Sequence, residues 1–353
     1  MAYFPCASRH GLAILLLACA VGAQADEPQF PMDYRQSSSV DKTDISYFNG
    51  DIQLAATLLR PVNRTAKGTV ILVHGSGRSS RKNVWAGMIA QLFVSNDIAV
   101  VFPDKRGSGS SGGNLRTSTL PDLADDAFAA VIFLQSHPEL GAPVDKIGLV
   151  GLSQGGRVAP IVASQHPSTI SFVVNISGGT APGYVSIRYE RENTYREKNI
   201  NLEWLLRFRA CDAAVDQLLF RQIEFSEYLP CTTLFANGPY AEFANSIYPS
   251  DPDDWRFGFY PQMLEFDPIV YWKKSPQPLF IAFGGLDELE NVPVVLSVKL
   301  LQDSFEEIGK TNQTVRVYPD VGHALWQRSV KGFVFDREFV AELSDWLTLQ
   351  TEK

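Results

Sequence analysis

Gly151-Leu152-Ser153-Gln154-Gly155 spells G-x-S-x-G, with an apolar run (Ile147 to Leu152) before it and a helix-compatible run (Arg157 to Ser164) after it. On a sharp strand-to-helix turn this pentapeptide acts as a nucleophile elbow. The serine sits there in strained backbone, and Gly151 and Gly155 remove the bulk that would clash two residues to either side. A serine hydroxyl is a weak nucleophile at neutral pH, so the chemistry requires a base within hydrogen-bond reach. Five histidines are available. His10 falls in an N-terminal leader, and His74, His137 and His166 are tied to other positions. His323, in the loop Asp320-Val-Gly-His-Ala, is the candidate base. An acid must hold that imidazole in the correct tautomer, and the loop Gly284-Gly-Leu-Asp-Glu-Leu-Glu290 offers Asp287, Glu288 and Glu290.

Such groups have to be carried on a rigid frame. Thr69 to Val73, Ile98 to Phe102, Ile147 to Leu152, Ile170 to Ile176, Pro278 to Phe283 and Thr314 to Tyr318 read as strands, most of them apolar enough to be buried on both faces. Helices are expected between them: about Val84 to Ser95, Leu120 to Ser136 behind the N-cap Thr119, the run after Ser153 to about His166, Val294 to Glu307, and Arg337 to Thr348. Alternating strands and helices imply a mostly parallel sheet with helices on both faces. Ile45 to Phe48 and Ile52 to Leu59 flank Asn49-Gly50-Asp51, a hairpin signal. Past Gly178-Gly179 the alternation stops. Residues 181–271 lack β-branched runs, carry many aromatics, and include helical segments near Leu202 to Ala210 and Ala213 to Glu224. The expected division is therefore 26–180 and 272–353 as one α/β core, with 181–271 inserted.

The chain has 353 residues, 45% hydrophobic and 20% charged, a composition that excludes disorder and coiled coil. A formal charge of −8 without a Lys/Arg-rich block argues against a nucleic-acid partner. Residues 1–25 read as a signal peptide: Arg9 and His10, then the apolar run Gly11 to Val21, then Ala23-Gln24-Ala25 as a cleavage site. The run is too short to span a bilayer. Leu16-Leu-Ala-Cys19 is a weaker competing signal, for lipidation at Cys19. Export, to a periplasm or beyond, is the expectation. Cleavage after Ala25 leaves Cys211 and Cys231, about 20 residues apart, and an exported chain is expected to pair them. No C-x-x-C is present, so a thiolate zinc site has no support; no metal and no cofactor is expected.

Taken together, H-G-S-G at 74–77, D-K-R-G-S-G-S at 104–110, G-L-S-Q-G-G at 151–156, F-D-P at 266–268, G-G-L-D at 284–287 and V-G-H at 321–323 resemble the α/β-hydrolase superfamily. Within it the chain is similar to exported bacterial serine hydrolases of the dienelactone-hydrolase and prolyl-oligopeptidase-like branch. The resemblance implies the α/β-hydrolase fold and the chain order serine, acid, histidine. It selects Asp287 over Glu288 and Glu290, and completes a triad with Ser153 and His323. It also implies an oxyanion hole from the backbone N–H of Gln154 and one from the loop after the 69–73 strand, at Ser76. Arg106 is expected to brace the loops beside the site.

The implied function is cleavage of carboxylic esters, on a small-molecule acyl substrate. Peptides, thioesters or acyl transfer on the same triad are the alternatives, and a non-catalytic binding protein of the same fold is the least favoured. The insertion is expected to cap Ser153. Of Trp204, Phe208, Phe220, Phe225, Tyr228, Trp255 and Phe257, most should fill the cap's own core and the rest should line an acyl pocket.

Overall fold

The computed structural model describes residues 37–329 and 332–352. The expected signal peptide, with Cys19 and the expected cleavage site after Ala25, lies outside the described residues. Eight strands form one sheet: β1 (Val40–Asn49), β2 (Ile52–Pro61), β3 (Gly68–Val73), β4 (Ile98–Pro103), β5 (Ile147–Leu152), β6 (Ile170–Ile176), β7 (Leu279–Gly284) and β8 (Gln313–Tyr318). Their spatial order is β1-β2-β4-β3-β5-β6-β7-β8. β1 and β2 form an antiparallel hairpin, and β2 pairs antiparallel with β4. From β4 onward every pairing is parallel. In the hairpin Asn49 pairs with Ile52, so Gly50 and Asp51 form the two-residue turn and Gly50 takes the positive φ of 55°. A two-residue hairpin loop needs that left-handed backbone.

Helices cover both faces because β3, β5 and β7 are buried along their whole length. On one face α1 (Val84–Ser95) and α12 (Arg337–Thr351) pack against Val70, Leu72, Val150 and Phe280. On the other, α2 (Leu120–Ser136), α3 (Gly155–Gln165) and α11 (Val294–Glu307) pack against Ile71, Leu149 and Ile281. α2 starts where its N-terminal signal lies: Thr119 Oγ1 accepts from Asp122 N while Asp122 Oδ2 accepts from Thr119 N, a reciprocal cap.

Between β6 and β7 the chain forms only helices: α4 (Gly183–Glu197), α5 (Leu202–Leu219), α6 (Phe225–Tyr228), α7 (Pro230–Thr233), α8 (Ala241–Ile247), α9 (Trp255–Glu265) and α10 (Pro268–Lys274). The two helices expected over 202–224 are one, α5, because no breaker separates them and Cys211 and Asp212 lie on its buried face. α4 escapes the hydrophobic pattern because its buried residues include Ser186 and Asn193. Cys211 and Cys231 are bridged, with Cα atoms 5.5 Å apart, which ties α5 to α7. Phe208, Tyr228, Phe235, Tyr195 and Tyr248 fill a separate small core, with Trp204, Phe225 and Phe257 packed against it. α10 crosses the expected boundary at 271: its Trp272 is fully buried in the main core.

A second hairpin, β9 (Trp326–Ser329) with β10 (Gly332–Phe335), was not expected. Its strands are four residues each, too short for alternation to stand out.

Candidate active site

Because β3 to β8 run parallel, the loops that follow them all leave at one edge, and β3 is flanked by β4 on one side and β5 on the other. In open α/β sheets that edge, beside such a reversal of strand order, is where ligands bind. The loops carrying Ser76, Ser153, Asp287 and His323 all emerge there.

Ser153 follows β5 directly and has φ of +52°, a left-handed conformation rare for a residue with a side chain. Its N–H donates to Ile176 O at 2.9 Å, and its carbonyl accepts from Gly156 N at 2.9 Å, so the turn is held from both sides. A Cβ at Gly151 would stand 2.4 Å from Gly155 O, and one at Gly155 would stand 2.0 Å from Val73 O. Both contacts are with backbone, which cannot yield as a side chain can. Only glycine fits at either place.

The acid loop begins at Gly284 and forms a short turn over Gly285–Leu289. Asp287 is fully buried. Its Oδ2 lies 2.6 Å from His323 Nδ1, and its Oδ1 accepts from Asn291 N at 3.3 Å. The two rivals are engaged elsewhere. Glu288 accepts from Tyr189 Oη and from Val295 N at the start of α11, and the Glu290 carboxylate accepts from the backbone N–H of His323, at 3.5 Å, rather than from its ring. Leu286 N donates to Val321 O at 3.0 Å, which links the acid loop to the histidine loop. The His323 side chain is 22% exposed, with the Trp85 ring 5.5 Å away, so a substrate can approach it. A carboxylate at Nδ1 accepts a hydrogen bond from the Nδ1–H, which keeps the proton on that nitrogen and leaves Nε2 with its lone pair available as a base.

The loop after β3 passes beside the serine at Gly75: a Cβ there would lie 3.3 Å from Ser153 Cβ and 3.8 Å from its Oγ. Ser76, next along, is exposed. Among the described residues, neither the Ser76 nor the Gln154 N–H donates to a protein acceptor. Two uncommitted amides therefore flank the serine. His74 is structural: Nε2 donates to Pro103 O at 2.7 Å and Nδ1 accepts from Ser79 Oγ at 3.0 Å. Burial pushes its imidazole down to about 4, so the ring is neutral.

Residues 104–111 form a braced turn. Arg106 forks onto Asp126 of α2, with Nε to Oδ2 at 2.6 Å and Nη2 to Oδ1 at 2.5 Å. Asp104 accepts from Arg81 and from the Ser110 N–H. Burial would raise its carboxyl, but those bonds outweigh burial and hold it below the ordinary range. Near the serine, burial lowers the Arg157 guanidinium to about 10, offset by the field of Glu190 from α4.

The insertion reaches the acid loop through Asn193 of α4, which donates to the carbonyls of Glu288 and Glu290. It also meets the α/β core where Trp255 of α9 lies under Arg116, with 5.6 Å between them. A cavity of about 460 Å³ opens within it, lined by Phe220, Phe225, Phe257 and Pro261 among others, but by none of Ser153, Asp287 or His323. Sequence reading missed Trp85, Tyr189 and Asn193. Trp85 had a usable signal in its position just after the loop that follows β3, whereas α4 gave no periodicity to read. Among the described residues no cluster of His, Cys, Asp or Glu could hold a metal ion, and no helix is long and apolar enough to cross a membrane.

A family model described as "Alpha/beta hydrolase family" matches residues 70–336. In sequence the chain is 30% identical over 125 residues to the uncharacterized protein PA2218 of Pseudomonas aeruginosa; the match takes in 35% of this chain and spans only 33% of that curated relative. The crystal structure of PA2218 superposes with a TM-score of 0.56 at 19% identity, over 93% of this chain and 98% of that one. The Pyrococcus furiosus esterase Pf2001 gives 0.56 at 19% identity, over 88% and 91%. Est1E from Butyrivibrio proteoclasticus, solved with ferulic acid bound, gives 0.56 at 16% identity, over 88% and 100%. At these identities the structural likeness speaks for the fold.

Proposed function

The chain belongs to the alpha/beta hydrolase family, and on that premise we propose that it is a serine hydrolase that cleaves carboxylic esters through an acyl-enzyme. The observation that carries the reading is the 2.6 Å contact between Asp287 Oδ2 and His323 Nδ1, made at the sheet edge where Ser153 is held at positive φ. In this reading Ser153 Oγ attacks the ester carbonyl as His323 Nε2 takes its proton. Asp287 holds the Nδ1–H tautomer and stabilises the imidazolium. The Gln154 and Ser76 N–H groups receive the carbonyl oxygen as it becomes an oxyanion. The imidazolium then protonates the departing alcohol, and water attacks the acyl-serine with His323 again as base. The esterase structures of similar fold support an ester substrate, and the leader over residues 1–25 supports action outside the cytoplasm.

The test is covalent labelling with a fluorophosphonate, followed by initial rates on matched ester, thioester and anilide substrates. Labelling should fall on Ser153 alone, and the ester should turn over fastest. Labelling that persists in Ser153→Ala would remove the serine from its role, and a faster anilide would make the protein a peptidase.

A further inference from the structure

Lys105 sits in the turn after β4, 7% exposed, with its ammonium between the loop after β3 and the elbow that carries Ser153. Nζ donates to Gly75 O at 2.8 Å and to Gln154 Oε1 at 2.7 Å. The first acceptor belongs to the peptide whose nitrogen is that of Ser76. A trans peptide is planar, with C=O and N–H pointing in opposite directions. Fixing the Gly75 oxygen therefore fixes the direction of the Ser76 N–H. The second acceptor is the side chain of the residue whose N–H comes directly after the nucleophile.

We propose that Lys105 is a positioning residue for the oxyanion hole, one cation that straps the Ser76 and Gln154 amides into a single geometry. This inference rests on the serine-hydrolase reading above.

The base of the lysine is itself immobile. Lys105 N donates to Ser79 O, and its carbonyl accepts from Ser108 N. The residues on either side are clamped, Asp104 by Arg81 and Arg106 by Asp126. Among the described residues no carboxylate pairs with the Lys105 ammonium. Burial accordingly lowers it to about 8. Its chain neighbours are committed elsewhere, Asp104 to Arg81 and Arg106 to Asp126, and the His74 ring, which feels the Lys105 charge, is neutral. A buried cation bonded only to neutral acceptors is poorly balanced in the resting protein. An oxyanion forming between the two strapped amides supplies the missing negative charge, so the arrangement favours the tetrahedral intermediate over the bound ester.

The experiment compares the full chain with Lys105→Met and Gln154→Ala on p-nitrophenyl acetate, with circular dichroism as the check on folding. Lys105→Met should lower kcat by about 10²-fold, the loss expected for one disabled oxyanion donor, and leave KM within about threefold. Gln154→Ala, which cuts one strap and keeps the cation, should lower kcat by about tenfold. The wild type should also lose kcat as pH rises through about 8, and Lys105→Met should lack that limb. A folded Lys105→Met with wild-type kcat would overturn the proposal. If that variant does not fold, Gln154→Ala decides alone, and wild-type kcat there overturns it. If the wild type shows no turnover dependent on Ser153, the hydrolase reading itself has failed, and the role of Lys105 goes with it.

Discussion

Asp287 Oδ2 and His323 Nδ1 lie 2.6 Å apart across 36 residues of sequence, one on the loop after β7 and the other on the loop after β8. Adjacent parallel strands bring the loops together, and the Leu286 N to Val321 O bond fixes their spacing. Asp287→Asn keeps the shape but places a donor where Nδ1–H needs an acceptor. The imidazole then favours the wrong tautomer, and kcat should fall by about 10⁴-fold with the melting temperature nearly unchanged. Glu288→Gln, whose side chain caps α11 and meets Tyr189, should stay within about tenfold of wild type. Steady-state rates on one ester check both. The reverse ranking would move the acid from 287 to 288.

The elbow glycines give a prediction about stability. An alanine at 155 places its Cβ 2.0 Å from Val73 O, so the turn and β3 have to separate. Gly155→Ala should cost about 1–3 kcal/mol or more, the range for overpacking, and should also reduce phosphonate labelling of Ser153. Gly258→Ala, in α9 with open space around it, is the control and should be neutral or slightly stabilising. Thermal unfolding of the two variants separates them.

Most of the α/β core was legible because its strands are short apolar runs bounded by turns and three of its helices, α1, α2 and α12, start at side-chain caps. Thr119 with Asp122, and the run Ile170 to Ile176, show this clearly. Ser153 was legible for a similar reason: steric rules impose glycine at fixed distances on either side of it. The acid was less so, since Asp287, Glu288 and Glu290 differ only in three-dimensional placement. α4 was unreadable. It buries Asn193 and Tyr195, and the Arg191–Asp212 pair joins it to α5, so polar bonding replaces the hydrophobic stripe. The role of Lys105 was equally hidden, because its two partners lie 30 and 49 residues away and neither is an acid.

Lys105 also predicts a dependence of stability on pH. Its folded-state value, about 8, is below the ordinary 10.5. Between those values the unfolded chain binds more protons than the folded one, so the fold gains stability as pH rises through this window. The penalty for the buried charge is fully present below about pH 8 and relieved above about 10.5. Lys310 is lowered by burial in the same way, and it is common to both proteins in a comparison with Lys105→Met. The difference in unfolding free energy, wild type minus Lys105→Met, should therefore increase between pH 8 and pH 10.5. Urea titrations at these two pH values measure it. A flat difference would mean that the ammonium is not desolvated.

The last prediction concerns the Cys211–Cys231 bridge. It closes a loop of 20 residues between α5 and α7, within a small core built on Phe208, Tyr228 and Phe235. A bridge of that span contributes about 3 kcal/mol by restricting the unfolded chain. The same core holds Asp212, which accepts from Tyr195, Tyr248 and Arg191, so it has polar bonds to lose as well as apolar contacts. The α/β core has its own packing on both faces of the sheet and does not depend on the bridge. Reduction should thus lower the unfolding temperature of the insertion and expose 200–250 to limited proteolysis, while the sheet stays folded. Asn193 of α4 rests on the acid loop, so a loosened insertion should also disturb the approach to His323. If the insertion shapes the acyl site, an acetyl ester should lose little turnover on reduction and a long-chain ester should show a raised KM. Equal losses for both would separate the insertion from substrate choice. Two free thiols in the oxidised protein would remove the bridge altogether.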